Sequence, residues 1–197
     1  HVHNNIGNMY WIAGKIDRAL QEYHSALALQ EELGSRKDIA SSLNNIGTIH
    51  VIKGAYDTAE TFYLRSLEIK ETLDDTGEIA RTWNNLGVNR FFRGDAALAQ
   101  EAYLKAYDIN RRIGARVELM MNIENLAEAM VQTGQLDAAI NYVKEGLHTA
   151  EELNDITYRS VFGRITGQIL RRLGYYRDSE KNLQQALELA AGTDNQN

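Results

Sequence analysis

The chain has 197 residues, 24% charged and 44% hydrophobic, and its 21 lysines and arginines against 27 aspartates and glutamates leave a net charge of −6. It has no cysteine, which excludes disulfides, thiolate metal sites and a cysteine nucleophile. The acidic balance argues against non-specific binding to nucleic acid or to an anionic membrane, and no run of about 18 apolar residues exists to span one.

Proline is also absent, so nothing in the chain forces a helix to break. With neither a signal peptide nor a cysteine in view, the expected location is the cytoplasm. The dominant feature is a period: Gly14, Gly54, Gly94, Gly134 and Gly174 stand forty residues apart. A fixed period of this length marks one supersecondary unit copied in tandem, each copy resting on its neighbours. The predicted copies are 1–34, 35–74, 75–114, 115–154 and 155–191, forming one array, with 192–197 as a disordered tail. The chain begins at His1, partway into the pattern, and is expected to be a piece of something longer.

The first copy opens on His1 and His3, a pair without a third metal ligand, and reaches its turn at Gly14. The second copy shows the unit most clearly. Its first helix runs from about Lys37 to Lys53, with Ile39, Leu43, Ile46, Gly47 and His50 at helical spacing. Its second runs from about Asp57 to Leu73, with Ala59, Phe62, Tyr63, Ser66, Leu67 and Ile69 on one face. Small residues recur where paired helices cross, at Ala19, Ala59, Ala99, Ala139 and Ser179, and again at Ala26, Ser66, Ala106, Gly146 and Ala186. Between them stand Tyr23, Tyr63, Tyr103, Val143 and Leu183, large side chains that fill the remaining gap. Gly34, Asp74, Gly114 and Asn154 are residue types that accept the left-handed closing conformation. Asp17, Asp57 and Asp137 stand near the start of second helices, where a carboxylate caps free N–H groups or meets the positive end of the dipole. The last helix is expected from about Asp178 to Ala191, with Leu183, Ala186, Leu187 and Ala190 on its packed face. His24, His50 and His148 read as packing residues.

These positions resemble the tetratricopeptide repeat family over essentially the whole chain. The family's sequence of a large apolar residue, Leu-Gly, an aromatic, a turn glycine and Ala…Tyr…Ala stands in the second copy as Leu43, Ile46-Gly47, His50, Gly54, Ala59, Tyr63 and Ser66. The fourth copy departs at Ala127, and the fifth at Thr166 and Ser179. A unit of forty residues without proline is similar to the long-helix subtype of Partner-of-inscuteable adaptors, kinesin light chains and bacterial signalling arrays. The resemblance implies an all-α, right-handed α-solenoid of about ten antiparallel helices, whose first helices line a concave groove.

Along those first helices runs a ladder, Asn5, Asn45, Asn85 and Asn125, preceded in three copies by Asn4, Asn44 and Asn84. Asparagine is poor in a helix interior, so its recurrence calls for a reason. An amide can hold a peptide main chain, and in similar long-repeat adaptors such a ladder does so; the alternative is that one asparagine of each pair ties adjacent copies together. Next come the apolar pairs Trp11-Ile12, Val51-Ile52 and Phe91-Phe92, one member expected to pack and the other to receive an apolar anchor, with Phe91 or Trp11 as the anchor site. Glu124 and Glu128 lie four apart on one face, and Arg164 occupies the repeat position of Glu124. Arg164, Arg171 and Arg172, with Arg81, suit either salt bridges between copies or a charged end that takes an acidic segment.

Two functions fit. One is a non-catalytic scaffold that binds a protein or peptide partner through Asn5, Asn44, Asn45, Asn84, Asn85, Asn125, Phe91, Glu124, Glu128, Arg164 and Arg172. The other is a sensor or self-associating segment of a larger signalling protein. An enzyme built on Glu124 and Glu128 is disfavoured, because a shallow groove excludes water poorly. No cofactor or metal is expected. Nucleic acid is not an expected partner, since Arg111, Arg112 and Arg116 make one cluster rather than a track.

Overall fold

The structure is a computed structural model. It describes residues 2–194, with side chains to residue 191. Among the described residues it holds ten α-helices and no strand. In chain order they are α1 (Val2–Ile12), α2 (Ile16–Leu33), α3 (Arg36–Ile52), α4 (Tyr56–Thr72), α5 (Thr76–Arg93), α6 (Ala96–Ile113), α7 (Arg116–Gln132), α8 (Leu136–Glu152), α9 (Ile156–Arg172) and α10 (Tyr176–Asp194). The all-α expectation and the paired helices of each copy are thus met, with boundaries within about two residues of those read from periodicity. The last helix differs: α10 reaches Asp194, three residues into the stretch expected to be a tail, and the rest of that stretch lies outside the described residues.

Each turn between helices has one residue with positive φ. At the forty-residue glycines and at Gly34 and Gly114 this costs a glycine nothing. Asp74 (φ 51°) and Asn154 (φ 53°) carry the same conformation with a side chain. Gly34 shows how the stop works: its N–H and that of Ser35 turn back to carbonyls of Glu31 and Gln30, satisfying groups the helix end would leave open. Helix starts rely less on side chains than expected. Asp17, Asp57 and Asp137 sit in first turns, where the dipole favours them, but the capping residues Lys15, Ala55 and Gln135 make no side-chain cap. Asp155 does cap α9, accepting from the Tyr158 N–H at 2.9 Å.

The chain separates into two compact units, His1–Asp95 and Ala96–Asn197. In the first, α1 packs on α2, α2 on α3, α3 on α4 and α4 on α5, and the first helices α3 and α5 also touch. Its core joins Ala19, Tyr23 and Leu27 of α2 to Leu43, Ile46 and Ile49 of α3. A Cβ on Gly7 would lie 2.5 Å from the Tyr23 ring, and one on Gly47 would lie 2.8 Å from the Tyr63 ring. The small residue therefore admits the ring. Each phenol then reaches the helix it packs on: Tyr23 donates to Asn8 at 2.6 Å and Tyr63 to Thr48 at 3.1 Å.

The second unit has the same order, with α6 on α7, α7 on α8, α8 on α9, α9 on α10, and α7 touching α9. Gly167 and Leu183 repeat the glycine-and-large-residue contact of the first unit, while Gly146 and Phe162 reverse it, with the glycine on the second helix of its copy. Gly146 on α8 is filled by the Phe162 ring of α9, and Gly167 on α9 by Leu183 of α10. Two expectations are corrected. Leu187 is 64% exposed and is not part of the packed face of α10, because no described helix covers that side. His148 is exposed and lies 3.4 Å from Glu152 one turn on, a solvated pair rather than a packing residue. His50 does pack, stacked on Phe62 with ring centroids 5.4 Å apart, and His24 meets the same ring edge-on.

Candidate functional site

The first helices carry the site residues, and a helix turns 100° per residue, so residues seven apart share a face. In the first unit this places Asn5 with Ile12, Asn45 with Ile52, and Asn85 with Phe92. Asn5 is exposed, and Asn45 and Asn85 are half-buried. Ile12, Ile52 and Phe92 are 82%, 51% and 61% exposed. An amide row and an apolar row therefore run side by side across α1, α3 and α5, two helical turns apart.

The second asparagine set behaves differently. Asn44 and Asn84 are buried. Asn44 Oδ1 accepts from Asn85 Nδ2 at 3.1 Å, which joins α3 to α5. Asn4 Oδ1 lies 2.9 Å from the Ser42 hydroxyl, joining α1 to α3. The tie between α3 and α5 uses Asn44 of one pair and Asn85 of the next, so Asn85 spends one amide hydrogen on it, while Asn44 and Asn84, both buried, present little to a ligand. Among the apolar pairs the second member is the more exposed one. Phe91, expected as an anchor, is half-buried with its ring edge-on to Phe92 at 6.1 Å. Trp11 keeps 45% of its surface.

The charged end lies in the second unit. Arg164 of α9 donates to Glu128 of α7 at 2.7 Å and lies 3.8 Å from Glu124. Burial, reinforced by Glu128 and opposed by Arg164, raises the pKa of Glu124 above the usual carboxylate value. Two carboxylates thus share one guanidinium. Arg172 donates to the Val131 carbonyl at 2.6 Å and so closes the last turn of α7. Arg81 pairs with Glu78 on its own helix. The Arg164 and Arg172 contacts are ties between copies and the Arg81 pair is not, while Asn125 stays half-buried between Glu124 and Glu128 on the same helix. His3 bonds Glu22 at 2.7 Å, and His1 lies outside the described residues. Among the described residues no group of three or more metal-ligating side chains exists.

Sequence reading passed over a further set of ties. Gln30 meets Ser42 at 2.6 Å, Lys70 meets Thr82 at 2.8 Å, and Asn110 meets Asn122 at 2.7 Å, all buried. Each joins the end of a second helix to the start of the next first helix, twelve residues on. The signal was the period itself, since these polar residues recur forty apart. The fourth junction replaces the pair by Ala150 and Phe162, both fully buried. Of these tying residues only Lys70 carries a charge. Burial lowers its pKa, and Glu78 at 3.0 Å partly restores it.

A family model described as Tetratricopeptide repeat matches residues 1–72 and 78–152. No curated protein matches the chain in sequence. Solved structures do match in fold. Nearly identical TPR-like repeats assigned to a kinesin light chain of Podosopora anserina superpose with a TM-score of 0.83 at 13% identity, covering 98% of this chain and 95% of that one. BtubC (BKLC) from P. vanneervenii gives 0.84 at 18% identity, over 95% and 78%. A Rap protein complexed with competence and sporulation factor gives 0.77 at 14% identity, over 99% of this chain and 64% of its own length. At these identities the likeness is one of fold, a TPR-like solenoid.

Proposed function

The chain belongs to the tetratricopeptide repeat family, and from that premise we propose that it is a non-catalytic, cytoplasmic interaction module that holds a peptide segment of a protein partner. The observation that carries this reading is the paired rows on the first helices. Asn5, Asn45 and Asn85 offer amides to a main chain, and Ile12, Ile52 and Phe92 offer apolar contact on the same face. In the second unit Asn125 holds the same repeat position on α7. Glu124, Glu128 and Arg164 select charge there, with one carboxylate left over from the ion pair. Asn44 and Arg172 act behind this surface by holding copies in register, and Asn84 is buried there. The Rap protein's complex with competence and sporulation factor supports, by likeness of fold, a binding role for such an array.

The test is selection of peptides from a displayed random library on the intact chain, followed by affinity measurement against a variant with alanine at Asn45, Asn85 and Asn125. We expect a loss of about tenfold or more, equivalent to about 1.4 kcal/mol, with the far-ultraviolet circular dichroism retained. Equal affinity in a folded variant overturns main-chain capture by the ladder.

A further inference from the structure

A cavity of about 230 Å³ opens between α8 and α9, lined by Ile140, Val143, Lys144 and Leu147 of the former and Thr166, Ile169 and Leu170 of the latter. Its origin is visible in the repeat. A shift of 120 residues maps the junction of copies one and two onto this one. Leu27 and Ile49 become Leu147 and Ile169, without change of type. Tyr23 and Ile46, which pack in one cluster in the first unit, become Val143 and Thr166. A ring and part of a branched chain are lost together. Ala127, in the place of Gly7, returns only a methyl group. A second departure marks the mouth: His24 becomes Lys144, which is exposed and forms no ion pair with any described carboxylate.

We propose that this cavity is a binding site for a small amphipathic carboxylate, with a short aliphatic chain or a single ring among Val143, Leu147, Thr166 and Ile169 and the carboxylate on the Lys144 ammonium. The site is distinct from the rows of the first helices and does not rest on the peptide-binding reading. Its walls are almost wholly apolar. The Thr166 hydroxyl is already spent on the Phe162 carbonyl at 2.8 Å, so it offers an entering ligand no donor. Water would find few partners in such a space, whereas apolar cavities of this order take up benzene-sized guests. An unpaired ammonium at the rim then favours a guest with an anionic end over a neutral one.

The experiment titrates octanoate and, separately, 1-octanol into the intact chain and follows the methyl signals of Ile140, Leu147, Ile169 and Leu170. Saturable octanoate binding at one site is expected. Lys144→Gln weakens octanoate by about fivefold and leaves octanol unchanged. Thr166→Leu supplies the leucine of copies three and four (Leu86 and Leu126), abolishes binding of both probes and raises the melting temperature. Absence of saturable octanoate binding overturns the proposal. So does binding that survives Thr166→Leu, or an octanoate affinity that Lys144→Gln does not change.

Discussion

Gly47 faces a buried ring. Replacing it with alanine gains about 1 kcal/mol of helix propensity but forces a Cβ to 2.8 Å from Tyr63, which is only 2% exposed and cannot move aside. Overpacking of this kind costs about 1–3 kcal/mol, so Gly47→Ala is expected to lower stability in a urea titration by about 1 kcal/mol. Lys70 makes the opposite case. Lys70→Met removes a buried charge while Glu78 keeps Arg81 and Thr82 keeps the Glu78 carbonyl, so stability should stay level or rise. Glu78→Gln strands the Lys70 charge and should cost on the order of 1–3 kcal/mol, less than a fully buried pair because Glu78 is about a third exposed. The pH dependence follows from the sign. The folded chain holds Lys70 below its ordinary value of 10.5, so between the two values the unfolded chain binds more protons and stability rises with pH. Tyr63 works the other way. Burial pushes it up to about 12, so its contribution is lost as pH rises from about 10 to 12. In Lys70→Met only the alkaline rise should vanish, a difference that chemical unfolding at stepped pH would reveal.

At the scale of the helix, the stops matter more than the starts. Nine turns use a left-handed residue, and seven of them use glycine. Asn154 reaches φ 53° with a side chain in place, and Asn154→Gly is expected to raise the unfolding midpoint by the equivalent of about 0.5 kcal/mol. Gly77, in the first turn of α5, offers a second gain. A Cβ there meets nothing within 4 Å, so Gly77→Ala should stabilise by a few tenths to about 1 kcal/mol. A loss in either variant, measured by thermal unfolding, would mean that the local backbone is set by something other than the helix end. The contrast between Gly47 and Gly77, both in first helices, shows that propensity decides only where packing is silent.

At the scale of the molecule, stability is a sum over copies and junctions, so a local change need not be felt everywhere. Both tryptophans, Trp11 and Trp83, lie in the unit His1–Asp95. Their fluorescence reports that unit, while circular dichroism reports all ten helices. In Gly47→Ala the fluorescence midpoint in urea should fall below the circular dichroism midpoint, and coincident midpoints would mean that the chain unfolds as one cooperative body. The junctions are not equivalent. Three are tied by buried polar pairs, whereas the fourth has the buried apolar Ala150 and Phe162 at those positions and a cavity between the same helices.

The period of forty, the helix pairs, the small residues at the crossings and the left-handed stops were all legible from residue types, because each is a local rule repeated in every copy. The amide and apolar rows were legible as sequences of residues but not as surfaces. A helical wheel puts Asn44 and Asn45 about 100° apart, and only the neighbouring helix decides that Asn44 is covered and Asn45 half-open. The same holds for Phe91 and Phe92, for Leu187, which lacks a covering helix, and for Arg172, whose partner is a carbonyl forty-one residues away. The residues that bear on binding were thus visible in the chain, whereas which of them meets solvent depends on packing between copies, and that is a property of distance in space rather than of spacing in sequence.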